Sequence, residues 1–112
     1  MTIFEKIIAR EIPADIVFED DLVIAFRDID PQAPVHIVIA SKKPVPTLND
    51  LDDADSGLTE KMIAAARTIA KSENIDSSGY RIVFNCNNDG GQSVWHIHCH
   101  LLGGRHMKWP PG

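Results

Sequence analysis

The stretch that decides the fold is Val94-Trp95-His96-Ile97-His98-Cys99-His100-Leu101-Leu102. Polar and apolar residues alternate strictly from His96 to Leu101, and successive side chains of a β-strand point to opposite faces of a sheet. The pattern predicts a strand over 94–102. One of its faces carries all three histidines, and the other buries Ile97, Cys99 and Leu101 in the core.

The chain before this stretch predicts four more strands and two helices. Thr2 and Glu5 have the spacing of a capping box, which begins a short helix that ends before Pro13. A longer amphipathic helix is expected from roughly Asp55 to Ser72. The other strands are expected at Ile16–Phe18, Leu22–Phe26, His36–Ala40 and Tyr80–Phe84. Hairpin-like connections favour an antiparallel sheet, so the predicted fold class is α+β, with five antiparallel strands and two helices.

Length and charge limit the function. The chain has 112 residues, which we interpret as one domain over 1–112, and a formal net charge of −5. Negative charge argues against a general binder of nucleic acid polymers or anionic membranes, because both are polyanions. No apolar run approaches the ~20 residues of a membrane span. Cys86 and Cys99 lack CxxC spacing, which together with the absence of a signal-peptide pattern predicts a cytoplasmic protein with reduced thiols.

The three alternating histidines allow three interpretations. Two histidines at i and i+2 can grip a zinc ion, but the Cα atoms of His96 and His100 would be ~13 Å apart on a strand, too far for all three rings to converge. A chance cluster on a polar sheet face is the second interpretation. The third is catalysis, because imidazole titrates near pH 6.5 and serves as nucleophile, base or acid at neutral pH.

The loop before the predicted strand favours catalysis on a phosphate. It reads Asp89-Gly90-Gly91-Gln92-Ser93. Glycines let the backbone approach a ligand, and successive N–H groups can form an anion nest. A neutral histidine could attack phosphorus while a neighbouring imidazolium holds the phosphate oxygens.

His96-Ile97-His98-Cys99-His100-Leu101-Leu102 matches the pattern His-φ-His-φ-His-φ-φ, where φ is apolar. This motif resembles the signature of the histidine triad (HIT) superfamily. Other segments resemble its Hint branch, the histidine triad nucleotide-binding proteins. They include residues 25–29, 31–36 and 89–94 and the ending Gly103-Gly104-Arg105 to Trp109-Pro110-Pro111-Gly112. The resemblance covers nearly the whole chain in order, and the unusual Cys99 at a φ position is small and apolar enough to pack there.

The resemblance implies a HIT-like homodimer in which two five-stranded sheets join into one ten-stranded sheet. It implies hydrolysis of purine nucleoside 5′-phosphoramidates through a covalent nucleotidyl-histidine, with AMP, GMP and adenosine phosphoramidates as ligands. It implies neither a cofactor nor a metal. The alternatives are a nucleotide-binding or scaffold module with incidental hydrolysis, a zinc protein, and a dinucleoside polyphosphate hydrolase of the same superfamily.

The resemblance also implies roles for single residues. His98 would be the nucleophile, His100 would bind phosphate oxygens and His96 would orient the site. Ser93 would contact the leaving group, His36 would support the triad from behind, and Asp28 would bind the ribose hydroxyls. The purine slot would be apolar and formed by Phe4, Ile7, Phe26 and Ile29. The phosphate and ribose side would be lined by Asn85, Gly91, Gln92 and Val94. Trp109 would reach the partner protomer's site. No role is predicted for His106.

Overall fold

The chain begins with the helix that the capping box predicts. The computed structural model describes all residues, 1–112, and α1 spans Ile3–Ile8. The hydroxyl of Thr2 accepts a hydrogen bond from the Glu5 N–H, and the Glu5 carboxylate accepts one from the Thr2 N–H. Phe4 and Ile7 are buried on the inner face of this helix.

Five strands form one antiparallel sheet, which confirms the α+β prediction. They are β1 (Ile16–Glu19), β2 (Val23–Arg27), β3 (Val35–Ser41), β4 (Tyr80–Phe84) and β5 (His98–Gly103), and their order is β1-β2-β3-β5-β4. All four neighbouring pairs are antiparallel. The central pair β3 and β5 places His36 opposite Leu102 and Val38 opposite His100. The sheet therefore has two unpaired edges, β1 and β4.

The long helix begins later than predicted. The helix α2 spans Leu58–Ser72, while Asp53–Asp55 form a separate 3-10 turn. Gly57 separates the two with a left-handed φ of 85°, a conformation that glycine adopts without strain. No helix is both long and apolar enough to cross a membrane.

The fifth strand is shorter than the histidine alternation predicts. It begins at His98 rather than Val94. Its neighbour β3 ends at Ser41, and Ala40 and His98 form the last pair of the ladder between the two strands. Ile97 still accepts from the Ser41 N–H and donates to the Val45 carbonyl, but Pro44 and Pro46 lack the N–H groups that would continue a regular ladder. Residues 94–97 are therefore irregular, and the prediction that His96 shares a strand face with the other two histidines is wrong.

The sheet has a different hydrophobic core on each face. The larger core lies under α2 and contains Cys99 and Leu101 of β5, as the alternation predicts. The smaller core lies under α1, where Phe4 and Ile7 pack on Ile24, Phe26 and Val38. His98 and His100 point to this second face, so α1 is the element that covers the histidines.

Candidate active site

A cavity of about 280 Å³ opens on the α1 face of the sheet. It is lined by the two histidines of β5, His98 and His100, together with Arg27, Asp28 and Ser93. The rest of its wall is apolar and consists of Ile3, Phe4, Ile7, Ile12, Pro13, Ala14, Phe26, Ile29, Val38 and Val94. An apolar slot with a few polar groups at one end suits a flat, partly polar ligand.

The ring of His98 is oriented by the chain just before it. Its Nδ1 lies 2.6 Å from the carbonyl oxygen of His96. A carbonyl only accepts, so Nδ1 carries the proton and donates it. The Phe4 ring packs edge-on against His98, with ring centroids 4.8 Å apart. This arrangement leaves the lone pair on Nε2, so His98 has the tautomer of a nucleophile.

His100 stands beside His98 and is supported from behind by His36. The ring centroids of His98 and His100 are 5.1 Å apart. His36 Nε2 lies 2.8 Å from His100 Nδ1 and 3.4 Å from a carboxylate oxygen of Asp28. The two strand histidines, His36 and Asp28 therefore form one contiguous group at the polar end of the cavity.

His96 contributes to the site from inside the protein rather than from the cavity wall. Its side chain is fully buried, and its Nε2 donates to the carbonyl of Ser41 at 2.5 Å. Its Nδ1 has no hydrogen-bond partner. The ring packs against Phe4, and the backbone carbonyl holds His98. His96 thus orients its neighbours by packing and through its main chain.

Burial favours the neutral form of both histidines on β5, His98 and His100. Loss of solvent lowers the pKa of His98 below its usual 6.5, although the hydrogen bond to the His96 carbonyl opposes the shift. Burial, together with the neighbouring His98 and His36, lowers the pKa of His100 to about 4. His100 of the free protein is therefore a neutral ring at pH 7 and not the imidazolium that the sequence predicts beside a phosphate.

The glycine loop folds onto itself instead of forming the expected anion nest. The N–H groups of Gly91 and Gln92 donate to the carbonyls of Asn88 and Asn87, so neither is free for a phosphate. A Cβ on Gly90 would lie 2.5 Å from the Cys86 carbonyl oxygen, so this glycine permits close packing within the loop.

The Gln92 side chain fastens this loop to its surroundings. It is buried, its oxygen accepts from the Asn87 N–H, and its nitrogen donates to the carbonyls of Pro46 and Val94. These bonds leave it no direct contact with the cavity. Ser93 and Val94 follow it, line the cavity and have N–H groups without a backbone acceptor in the chain.

The structure brings most, but not all, of the predicted site residues together. The cavity wall includes all four predicted slot residues, with Ile29 at the rim because its side chain is 98% exposed. Asn85 lies elsewhere, in a second cavity between β4 and the carboxyl-terminal tail. Trp109 projects from this tail into solvent, 80% exposed, and does not contact the cavity of its own chain.

Several lining residues are absent from the sequence prediction. Ile12, Pro13 and Ala14 connect α1 to β1 and close the apolar end of the cavity. They show no periodicity from which a pocket could be predicted. Val38 lines the floor because the register places it opposite His100, and this contact follows only once the strand order is known.

One group of side chains could hold a metal ion. The ligand atoms of Asp28, His36 and His100 lie within 4.8 Å of one another. This group differs from the sequence triad, in which His96 and His98 each commit a ring nitrogen to a backbone carbonyl.

Comparison with known proteins agrees with this architecture. The HIT domain family model matches residues 9–107. The purine nucleoside phosphoramidase of Escherichia coli K12 is 56% identical over 104 residues, which cover 93% of this chain and 87% of that protein. The crystal structure of a HIT family hydrolase from Legionella pneumophila superimposes with a TM-score of 0.97, at 53% identity and full coverage of both chains. A histidine triad nucleotide-binding protein from Candida albicans superimposes with a TM-score of 0.83, at 27% identity and coverage of 98% of this chain and 83% of that one. The chain therefore belongs to the HIT domain family.

Proposed function

We propose that this protein hydrolyses purine nucleoside 5′-phosphoramidates to a nucleoside monophosphate and an amine. The observation that carries the proposal is the orientation of His98, whose Nδ1–H is bonded to the His96 carbonyl so that the Nε2 lone pair is free beside an apolar slot. The 56% identity to a protein named purine nucleoside phosphoramidase supports the same substrate class.

The reaction follows from these groups in two displacements. His98 Nε2 forms a bond to the α-phosphorus while the P–N bond breaks, and the departing amine takes up one proton. Water then adds its hydroxyl to phosphorus, releases one proton and breaks the bond to His98. The sum consumes one water molecule for each P–N bond. The Nε2–H of His100 and the N–H groups of Ser93 and Val94 donate to the phosphate oxygens, where charge is concentrated in each transition state.

The substrate's nucleoside occupies the apolar slot. Phe4, Ile7, Phe26 and Ile29 enclose the purine by contact area rather than by hydrogen bonds to its edges. Asp28 lies at the polar end of the slot, where its carboxylate can accept from ribose hydroxyls. Of the four residues that the resemblance assigns to the phosphate and ribose side, Val94 keeps this place and is joined there by Ser93, whereas Gln92 acts by holding the loop.

A homodimer completes the proposal. The outer edge of β4 has unpaired backbone groups and half-buried side chains, and such an edge favours pairing with a second copy. Arg81 on this strand donates to the carbonyl of Lys108, which fastens the tail beside the edge. Trp109 then projects outward, towards the partner's site. Sedimentation should give twice the chain mass, and Trp109→Ala should raise KM without dissociating the dimer.

The location is proposed to be the cytoplasm. Cys86 and Cys99 are both free thiols, consistent with a reducing compartment.

A substrate panel tests the function. Adenosine and guanosine 5′-phosphoramidates should be hydrolysed faster than the cytidine compound and faster than dinucleoside polyphosphates. His98→Ala should abolish turnover, whereas His106→Ala, which alters an exposed tail histidine, should leave it unchanged. Tight binding of AMP by calorimetry with negligible turnover would instead support a binding module. Stoichiometric zinc in protein purified without added metal would support the zinc alternative.

A further inference from the structure

We propose that the backbone amide of Gln32 sets the proton positions of the catalytic face. It holds His36 in its Nε2–H form, and His36 in turn directs the ring proton of His100 to Nε2, the nitrogen left for the cavity. The proton positions stand on geometry alone, whereas their effect on turnover rests on the proposed function.

The first step is the contact between Gln32 and His36. The Gln32 N–H donates to His36 Nδ1 at 3.0 Å, and the His36 ring is buried. A backbone N–H only donates, so Nδ1 must keep its lone pair. The proton of a neutral His36 therefore lies on Nε2.

The second step is the contact between the two rings. His36 Nε2 lies 2.8 Å from His100 Nδ1. Because His36 donates across this contact, His100 Nδ1 accepts, and the single proton of a neutral His100 lies on Nε2, the nitrogen left for the cavity. We call this chain of contacts, from the Gln32 N–H through His36 to His100, the relay. The relay determines which nitrogen of His100 meets a phosphate oxygen.

The relay also opposes a positive charge on His100. Protonation at Nδ1 would bring two N–H groups head to head across 2.8 Å. His36 cannot relieve the conflict by moving its proton to Nδ1, because the Gln32 N–H already points at that atom. Each ring nitrogen of His36 therefore already has a hydrogen-bond partner, since Nδ1 accepts from Gln32 and Nε2 donates to His100.

The titratable groups around His100 fit this arrangement. His98 of β5 faces it at a ring separation of 5.1 Å, and His36 of β3 lies behind it. After β2, Asp28 is the nearby carboxylate, with one oxygen 3.4 Å from His36 Nε2. This carboxylate raises the pKa of His100, but burial and the two histidines outweigh it. The Asp28 oxygen is the more distant of two acceptors for the His36 proton.

Nitrogen-15 NMR of protein labelled at histidine tests the proton positions directly. At pH 7 we expect His98 as the Nδ1–H tautomer and His36 and His100 as Nε2–H tautomers. An Nδ1–H tautomer or an imidazolium at His100 at pH 7 would overturn the proposal.

Two matched substitutions separate positioning from simple packing. In His36→Gln the side-chain amide nitrogen can take the place of Nε2 and still donate to His100, whereas the shorter side chain in His36→Asn cannot reach it. We expect kcat within about tenfold of the parent for the first variant and lower by about 10 to 100-fold for the second, with KM nearly unchanged in both. Equal losses in kcat would contradict the relay.

A second pair addresses the amide itself. Gln32→Pro removes the N–H and keeps the carbonyl that Arg105 contacts, whereas Gln32→Ala keeps both. The proline variant should give a mixture of His36 tautomers and a lower kcat, and the alanine variant should match the parent. Parent tautomers in a folded proline variant would refute the role of Gln32, and if that variant does not fold, the spectrum of the parent protein decides. Expected tautomers without phosphoramidate turnover would refute the proposed function and leave the relay intact.

Discussion

Cys99 and His100 are adjacent on β5, yet their side chains lie in opposite environments. Cys99 packs under α2 in the larger core, where burial raises the pKa of its thiol to about 12. His100 lies under the short helix α1, beside a cavity, where burial lowers the pKa of its ring to about 4. In both cases burial favours the neutral form, but a neutral imidazole still donates and accepts, whereas a neutral thiol is a poor nucleophile. We call the side of β5 that carries Cys99 and Leu101 the stabilising face, and the side that carries His98 and His100, where the reaction is proposed, the reactive face.

Thiol alkylation should show the largest contrast. With a pKa of about 12, only about one Cys99 thiol in 10⁴ is ionised at pH 8, and its side chain is fully buried. Iodoacetamide should therefore modify the half-buried Cys86 and alkylate native Cys99 at least about 10³-fold more slowly. Mass spectrometry of Cys86→Ala supplies the control, and rapid labelling of Cys99 in that folded variant would show that the α2 face is open.

Truncation on the stabilising face should cost stability rather than chemistry. Leu101 is fully buried under α2, so Leu101→Ala should lower the free energy of unfolding by about 2 to 5 kcal/mol. Urea denaturation measures this loss, while kcat of the folded variant should change less than threefold. A large fall in kcat without loss of stability would mean that the two faces are not separable.

Acid should lower the free energy of unfolding through the two buried histidines of the reactive face. The lowered pKa values of His98 and His100 mean that the unfolded chain binds more protons as the pH falls below 6.5, so the stability that both rings contribute above 6.5 is lost on acidification. For His100 the loss extends down to about pH 4. After allowance for solvent screening, we expect on the order of 1 kcal/mol between pH 7 and pH 5. Thermal melts should show a smaller pH dependence for His100→Asn, and an equal one would contradict this assignment.

The smallest effect is expected at the cap of α1. Thr2→Ala removes the hydroxyl that accepts from the Glu5 N–H, which should lower the free energy of unfolding by about 1 kcal/mol. The same change should raise KM, because α1 carries Phe4 and Ile7 into the slot. Thr68→Ala, on the exposed face of α2, is the matched control. If both variants had the same KM, the helix would not position the slot.

The sequence predicts the sheet well because alternation reports which side chains share a face. It therefore predicts Cys99 and Leu101 in the core and His98 and His100 on one face. The prediction is wrong at His96 because alternation continues past the point where the neighbouring strand ends at Ser41, and a strand needs a partner. The expected anion nest is absent for a related reason, since two glycines indicate close approach but not whether a ligand or the Cys86 backbone approaches. The role of the Gln32 amide cannot be predicted from the sequence, because every residue except proline has a backbone N–H.

Trapping the covalent intermediate tests whether His98 Nε2 attacks phosphorus, as we propose. Protein would be mixed briefly with an adenosine 5′-phosphoramidate, quenched, digested and analysed by mass spectrometry. We predict an adenylyl group on His98 that forms before steady state and is absent from His98→Ala. An adduct on another residue, or turnover at the parent rate by His98→Ala, would show that His98 is not the nucleophile.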